Sequence, residues 1–84
     1  MQECKNRYNE QGQEHGYWEK YWSNDKLWYK GDFLNGKEHG NWEWYHYNGN
    51  LWHKGRYING EYDGCWEFYH ENGELKETEY YARM

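Results

Sequence analysis

The chain has no proline, no valine, only two cysteines, and just five leucine and isoleucine side chains: Leu27, Leu34, Leu51, Leu75 and Ile58. So few branched aliphatics exclude a conventional aliphatic core. No apolar run approaches the roughly 20 residues of a membrane-spanning helix, and the opening Met-Gln-Glu-Cys-Lys-Asn-Arg lacks the apolar stretch of a signal peptide or anchor. Cys4 and Cys65 are too few for a disulfide framework and form no Cys-x-x-Cys. The expectation is a soluble protein with reduced thiols, in the cytoplasm.

What the chain has is rings. Mean hydropathy is −1.68, a value typical of disordered segments, yet Trp, Tyr and Phe make up 24% of the 84 residues. Disordered segments are poor in aromatics. Each buried ring removes about 150–250 Å² from water, so the aromatics must supply most of the stabilisation of one small domain.

The rings recur with a period of 24. Gly16-Tyr-Trp-Glu-Lys-Tyr, Gly40-Asn-Trp-Glu-Trp-Tyr and Gly64-Cys-Trp-Glu-Phe-Tyr superpose, as do Asn24-Asp25, Asn48-Gly49 and Asn72-Gly73, each followed by Leu27, Leu51 or Leu75. Lys30-Gly31 matches Lys54-Gly55, and Asn35-Gly36 matches Asn59-Gly60. Internal repetition at such a period marks a repeat architecture. The predicted division is one domain over 1–84, with a partial first repeat at 1–15, repeats at 16–39 and 40–63, and a capping repeat at 64–84.

Each unit is expected to be a β-hairpin. Trp and Tyr favour strands, and Asn-Gly between two such runs is a strong hairpin signal. A helix would meet a glycine about every eight residues, at roughly 1 kcal/mol each. Strands are predicted at 17–23, 26–34, 41–47, 50–58, 65–71 and 74–82, with hairpin turns at Asn48-Gly49 and its equivalents. Longer return turns are predicted at Asn35-Gly36 and Asn59-Gly60, and a short strand near Cys4–Tyr8. Tyr8 lies one position out of step with Phe33 and Tyr57.

Side chains alternate across a strand. Equivalent residues are therefore expected in ladders: Trp18/Trp42/Trp66, Glu19/Glu43/Glu67, Tyr21/Tyr45/Tyr69 and Leu27/Leu51/Leu75. Gly31 and Gly55 leave room for a ring over the backbone. In the last unit Lys76 stands where Trp28 and Trp52 stood, and Glu79 replaces the glycine of Gly31 and Gly55. A polar terminal repeat that discourages edge pairing is what an array needs.

Net charge is −5 and sits in the last third. Residues 1–60 hold eight acids and eight bases; residues 61–84 hold seven acids against Lys76 and Arg83. An acidic surface at Glu67, Glu71, Glu74, Glu77 and Glu79 disfavours nucleic acid and anionic membrane and attracts a basic partner protein.

No constellation for catalysis, cofactor or metal stands out. His46, His53 and His70 are not accompanied by a second ligand type at metal spacing, so half-buried strand positions are the simpler reading. Glu19, Glu43 and Glu67 recur because the repeat recurs, and fit structural acceptors or ion-pair partners better than an acid–base pair. The binding candidates are Trp28, Tyr29, Trp44, Tyr47 and Trp52. They are either the core itself or one aromatic face left open, since Trp and Tyr are enriched among interface hot spots.

The unit Gly-x-Trp-Glu-x-Tyr-…-Asn-Gly-x-Leu-…-Gly-x-Tyr-…-Asn-Gly resembles the MORN repeat over about residues 12–82, and more closely its bacterial variant, found in proteins often labelled antitoxin components. The resemblance implies an all-β fold of successive antiparallel hairpins in an elongated, twisted single sheet of six or seven strands. It also implies a non-enzymatic binding or scaffolding surface without cofactors. Some eukaryotic members are associated with lipid, but the basic clusters this needs are absent here. Three expectations follow. The first is an antitoxin or inhibitor that masks a partner protein, including a phage-encoded counter-defence inhibitor mimicking DNA charge. The second is a trap for a nucleotide-like ligand, with Lys30, Lys54 and Arg56 meeting its phosphates. The third is a self-assembling homo-oligomer.

Overall fold

A computed structural model describes residues 5–82. Seven strands follow in chain order: β1 (Arg7–Tyr8), β2 (Glu14–Tyr21), β3 (Leu27–Leu34), β4 (Lys37–Tyr45), β5 (Leu51–Ile58), β6 (Glu61–Tyr69) and β7 (Leu75–Tyr81). They form one antiparallel sheet in which every strand pairs with its sequence neighbours. The extents are 40 × 40 × 22 Å, the depth reflecting the twist and curvature of a single layer.

The two kinds of turn are the reverse of the sequence expectation. Asn35-Gly36 and Asn59-Gly60 are the tight two-residue turns: φ is 50° and 86° in the first, 52° and 82° in the second. Both central residues are left-handed, as a type I′ hairpin requires. Asn48-Gly49 lies instead in a five-residue loop, residues 46–50, closed by His46 N–H to Asn50 C=O at 2.8 Å and Gly49 N–H to His46 C=O at 2.9 Å. The same two bonds close loops 22–26 and 70–74. The Asn48 side chain accepts from the Asn50 N–H at 2.9 Å, a local bond that favours turn over strand. Strands β2, β4 and β6 consequently start three or four residues, and stop two residues, earlier than predicted, while the bounds of β3, β5 and β7 differ by at most one residue.

The first unit's anomaly has a simple cause. Tyr8 pairs with Glu14 as Phe33 pairs with Glu38 and Tyr57 with Tyr62. Residues 9–13 take the five-residue loop here, closed by Asn9 N–H to Gln13 C=O at 2.8 Å and Gly12 N–H to Asn9 C=O at 3.0 Å. Between the later partners lie four residues. The extra one puts Tyr8 out of step in sequence while keeping it in step in space. Of the strand expected near Cys4–Tyr8, only Arg7–Tyr8 forms, and Cys4 lies outside the described residues.

The core lies on one face of the sheet. Trp18, Trp42 and Trp66 are 3%, 1% and 0% exposed. They do not stack on one another, because each is two strands from the next. Rings of the intervening strands separate them edge to face: Tyr8–Trp18 at 5.3 Å, Trp18–Phe33 at 5.6 Å, Phe33–Trp42 at 5.0 Å, Trp42–Tyr57 at 5.8 Å and Tyr57–Trp66 at 5.0 Å. This is the favoured geometry for aromatic pairs.

A wide bulge makes the burial possible. Lys54 pairs with Glu67 and Arg56 with Asp63, so Gly55 alone faces three residues of β6, and Gly31 does the same on β4. The bulge folds Trp66 back over Gly55 and Trp42 over Gly31; a Cβ on either glycine would lie 2.2 Å from an indole carbon. Each indole N–H then donates to the strand beneath: Trp42 to the Asp32 carbonyl at 2.9 Å, Trp66 to Arg56 at 3.1 Å, and Trp18 to Arg7 at 3.1 Å. Asn6, at φ 59°, faces the 16–18 segment in place of glycine, bonding its side chain to both backbone groups of Glu19. Among the described residues no tryptophan covers β7, where Glu79 stands at the position of Gly31 and Gly55.

Gly55→Ala should cost about 1–3 kcal/mol or more from overpacking. Gly40→Ala, where nothing lies within 4 Å but φ is +81°, should cost only about 1–2 kcal/mol of left-handed strain. Trp66→Ala should cost about 3–5 kcal/mol. Urea denaturation of the three variants checks the order Trp66→Ala and Gly55→Ala above Gly40→Ala.

Candidate functional site

A second, smaller bulge on each hairpin breaks the strand alternation. Lys20 pairs with Tyr29 and Tyr21 with Leu27, leaving Trp28 unpaired; Trp52 and Lys76 are passed over in the same way. The bulge brings Trp28 onto the ring face, against Tyr29 at 5.2 Å and Trp44 at 6.5 Å. Trp52 packs edge-on to His53 at 5.0 Å. The loops add Trp22, stacked on Trp28 at 4.8 Å with its N–H on the Tyr45 carbonyl at 3.1 Å. His46 is the equivalent of Trp22: it stacks on Trp52 at 5.3 Å and its Nε2–H donates to the Tyr69 carbonyl at 3.0 Å.

The result is an open groove of about 360 Å³ lined by Trp22, Trp28, Trp44, Trp52, His53, Tyr57 and Tyr62. Trp52 remains 39% exposed. His53 lies parallel to Trp44 at 5.5 Å, and its buried Nδ1 has no hydrogen-bond partner. The Trp44 indole N–H makes no well-formed hydrogen bond either, though it interacts with the Tyr57 hydroxyl. Burial, with His46 nearby, pushes the His53 pKa down to about 4, so the ring is neutral at physiological pH. Burial also raises Tyr29 and Tyr57, helped by the charge of Glu38, which both phenols feel.

The groove unites three of the five binding candidates, Trp28, Trp44 and Trp52. Tyr29 lies beneath them, stacked on Trp42 at 5.3 Å. Tyr47 sits apart, exposed, against Trp22 and within 3.1 Å of the Ser23 hydroxyl. Trp22, His53, Tyr57 and Tyr62 were missed. Tyr29 and His53 occupy the same repeat position, a signal of a shared ring site, whereas no strand pattern places the loop residue Trp22.

The opposite face is polar, and most of its groups satisfy one another, although the buried His39 Nδ1 has no partner. Glu19, Glu43 and Glu67 accept from Tyr21, Tyr45 and Tyr69 at 2.6, 2.6 and 2.7 Å. Lys30 and Lys54 lie 3.3 and 3.7 Å from Glu43 and Glu67, and Arg56 makes a two-pronged pair with Asp63. Hydrogen bonds from Lys5, then Tyr21 and Tyr17, hold the Glu19 carboxyl down at about 2. Cys65 is exposed on this face, beside Lys54 and Glu67.

The acidic candidates do not share a face. Glu67 belongs to the polar face, Glu71 and Glu74 to loop 70–74, while Glu77 and Glu79 pair with Phe68 and Trp66 at the β7 end of the ring face. Trp18, Trp42 and Trp66 form the core, over Gly31 and Gly55, and Leu27, Leu51 and Leu75 each open a strand after a five-residue loop. Among the described residues no group of three or more His, Cys, Asp or Glu is arranged to hold a metal ion, and no helix is long and apolar enough to cross a membrane.

A single sheet of sequential hairpins with one ring-lined face defines a β-hairpin repeat protein. The chain belongs to the MORN repeat variant family, whose model matches residues 14–35, 38–59 and 62–82. Each match is one hairpin closed by a five-residue loop. MORN repeats are generally interaction repeats for proteins or membranes. Comparison with curated proteins and with solved structures returns no significant match.

Keeping His53 neutral contributes stability that is full above its ordinary value of 6.5 and is lost as pH falls toward about 4. The Glu19 contribution is full above 4.5 and lost only as pH falls toward about 2. The thermal midpoint should therefore drop in two separate acid segments. His53→Tyr, which installs the residue found at Tyr29, should flatten the first and leave the second, as read by circular-dichroism melts from neutral to acid pH.

Proposed function

We propose that the chain is a non-enzymatic, cytoplasmic protein-binding module that docks a basic partner protein on its ring face and acts by occupancy, as an antitoxin or inhibitor does. The observation that supports this most is the open groove. Four tryptophans line a concavity that the fold does not itself fill, and buried Trp and Tyr anchors dominate the energetics of protein interfaces. The excess acid of the last third, including Glu77 and Glu79 at one end of that face, steers a basic surface and makes association salt-sensitive.

The alternatives have less support. Lys30, Lys54 and Arg56, the bases offered for a ligand's phosphates, lie on the opposite face and are already paired with carboxylates. Mimicry of DNA charge needs the acids on one face, and they are divided. Head-to-tail self-assembly would seat an indole on Glu79, where a side chain occupies the space that Gly31 and Gly55 leave empty.

Immobilised chain should retain a partner from a lysate of its source cell. Retention should fall at least tenfold in the Trp28→Ala/Trp52→Ala variant, which leaves Trp42 and Trp66 in place, and should weaken on raising salt from about 0.1 M to about 0.5 M. Retention of nothing, or equal retention by the variant, overturns the proposal.

A further inference from the structure

We propose that the groove lined by Trp22, Trp28, Trp44, Trp52 and His53 captures a single cationic side chain, an arginine or lysine, projecting from the partner's surface. This rests on the docking reading above and names the chemistry that the docked surface must present.

Ring faces carry the negative lobe of an aromatic quadrupole, and an indole is the best of them for a cation. In this groove the walls are mostly indole. The charge around them is one-sided. Over β3 to β6, strand alternation sends Lys30, Lys37, Lys54 and Arg56 to the opposite face, and three of these bases have carboxylate partners there: Glu43, Glu67 and Asp63. Glu38, paired with Phe33, is left as the charged side chain of the central ring face. Its field reaches the hydroxyls of both Tyr29 and Tyr57. The bases of this face, Lys20 and Lys76, stand on β2 and β7, outside the central strands.

His53 completes the site. It is neutral, so it adds no competing positive charge, and its ring, stacked on Trp44 at 5.5 Å, extends the aromatic wall. The same face already seats one cation on an indole: the Lys20 ammonium lies 5.6 Å from the Trp18 ring centroid. Lys20 holds the repeat position of Trp44, pairing with Tyr29 as Trp44 pairs with His53. In the second repeat that position is taken by Trp44, stacked on Trp42 at 5.7 Å, so the cation of the first repeat is replaced by a further indole. An anion finds neither a base nor an orphaned ammonium in the groove.

The test uses the full chain, N-acetyl-arginine amide, and its uncharged isostere N-acetyl-citrulline amide, titrated at constant ionic strength while indole N–H resonances are followed by NMR. Saturable shifts are expected at Trp28, Trp44 and Trp52, with Trp66 silent. The citrulline compound should bind about tenfold more weakly. Glu38→Gln, which leaves every ring in place, should weaken the arginine compound severalfold and the citrulline compound not at all. The absence of saturable shifts up to concentrations on the order of 10 mM, or equal responses to both compounds as a groove for neutral planar groups would give, overturns the proposal. If arginine fails here while the Trp28→Ala/Trp52→Ala variant still loses the partner, the docking reading stands and the cationic chemistry falls. If arginine binds while the Trp28→Ala/Trp52→Ala variant retains the partner in full, the docking reading falls and this proposal falls with it.

Discussion

Everything in this molecule depends on an indole lying flat against a strand where the neighbouring residue has no side chain. A single sheet cannot ordinarily bury anything completely, because one layer has water on both sides. The contacts of Trp42 with Gly31 and of Trp66 with Gly55 solve that locally. The bulge lets each tryptophan turn back over the preceding strand, glycine gives it room, and an indole N–H bond to that strand's carbonyl satisfies its one polar atom. Phe33 and Tyr57 then meet Trp42 and Trp66 at right angles, and Tyr62 stacks on the face of Trp66 at 4.1 Å. Burial to within a few per cent of complete follows without a second layer.

The same device explains the asymmetry of the two faces. Turning the tryptophans to one side gathers Phe33, Tyr57, Tyr62 and Phe68 there as well, while Tyr21, Tyr45 and Tyr69 stay opposite with their glutamates. The second bulge adds Trp28 and Trp52 to a face that strict alternation would deny them. The reverse face receives the charged half of each strand, and its Glu, Tyr and Lys side chains satisfy one another. That face is largely satisfied, the buried His39 Nδ1 excepted. The other ends in a groove whose rings exceed what is needed to cover the core, and whose His53 nitrogen lacks a partner.

Much of this was legible in the sequence because a repeat multiplies weak signals. One Gly-x-Trp-Glu says little; three at a fixed period identify the unit, its all-β character and the need for Gly31 and Gly55. Turn type was not, because Asn-Gly suits both an I′ turn and the left-handed glycine closing a five-residue loop, and only strand pairing separates them. Alternation failed at Trp28 and Trp52 for a related reason: a bulge is a property of two strands in register, invisible along one. The groove was half legible. Trp28, Trp44 and Trp52 were identifiable as surplus rings, but Trp22 enters from a loop, and the half-buried strand position expected of His53 does not by itself place its ring between Trp44 and Phe68.

The most direct test of the indole-on-glycine contact is the proton chemical shift of the glycine Cα hydrogens. A ring lying over the backbone shields the hydrogen beneath it, so Gly31 and Gly55 should each show one strongly upfield-shifted Hα that returns to its ordinary position on unfolding, while Gly40 and Gly64, with nothing packed above them, should not. Ordinary Hα shifts at Gly31 and Gly55 in the folded protein would contradict the account at its foundation.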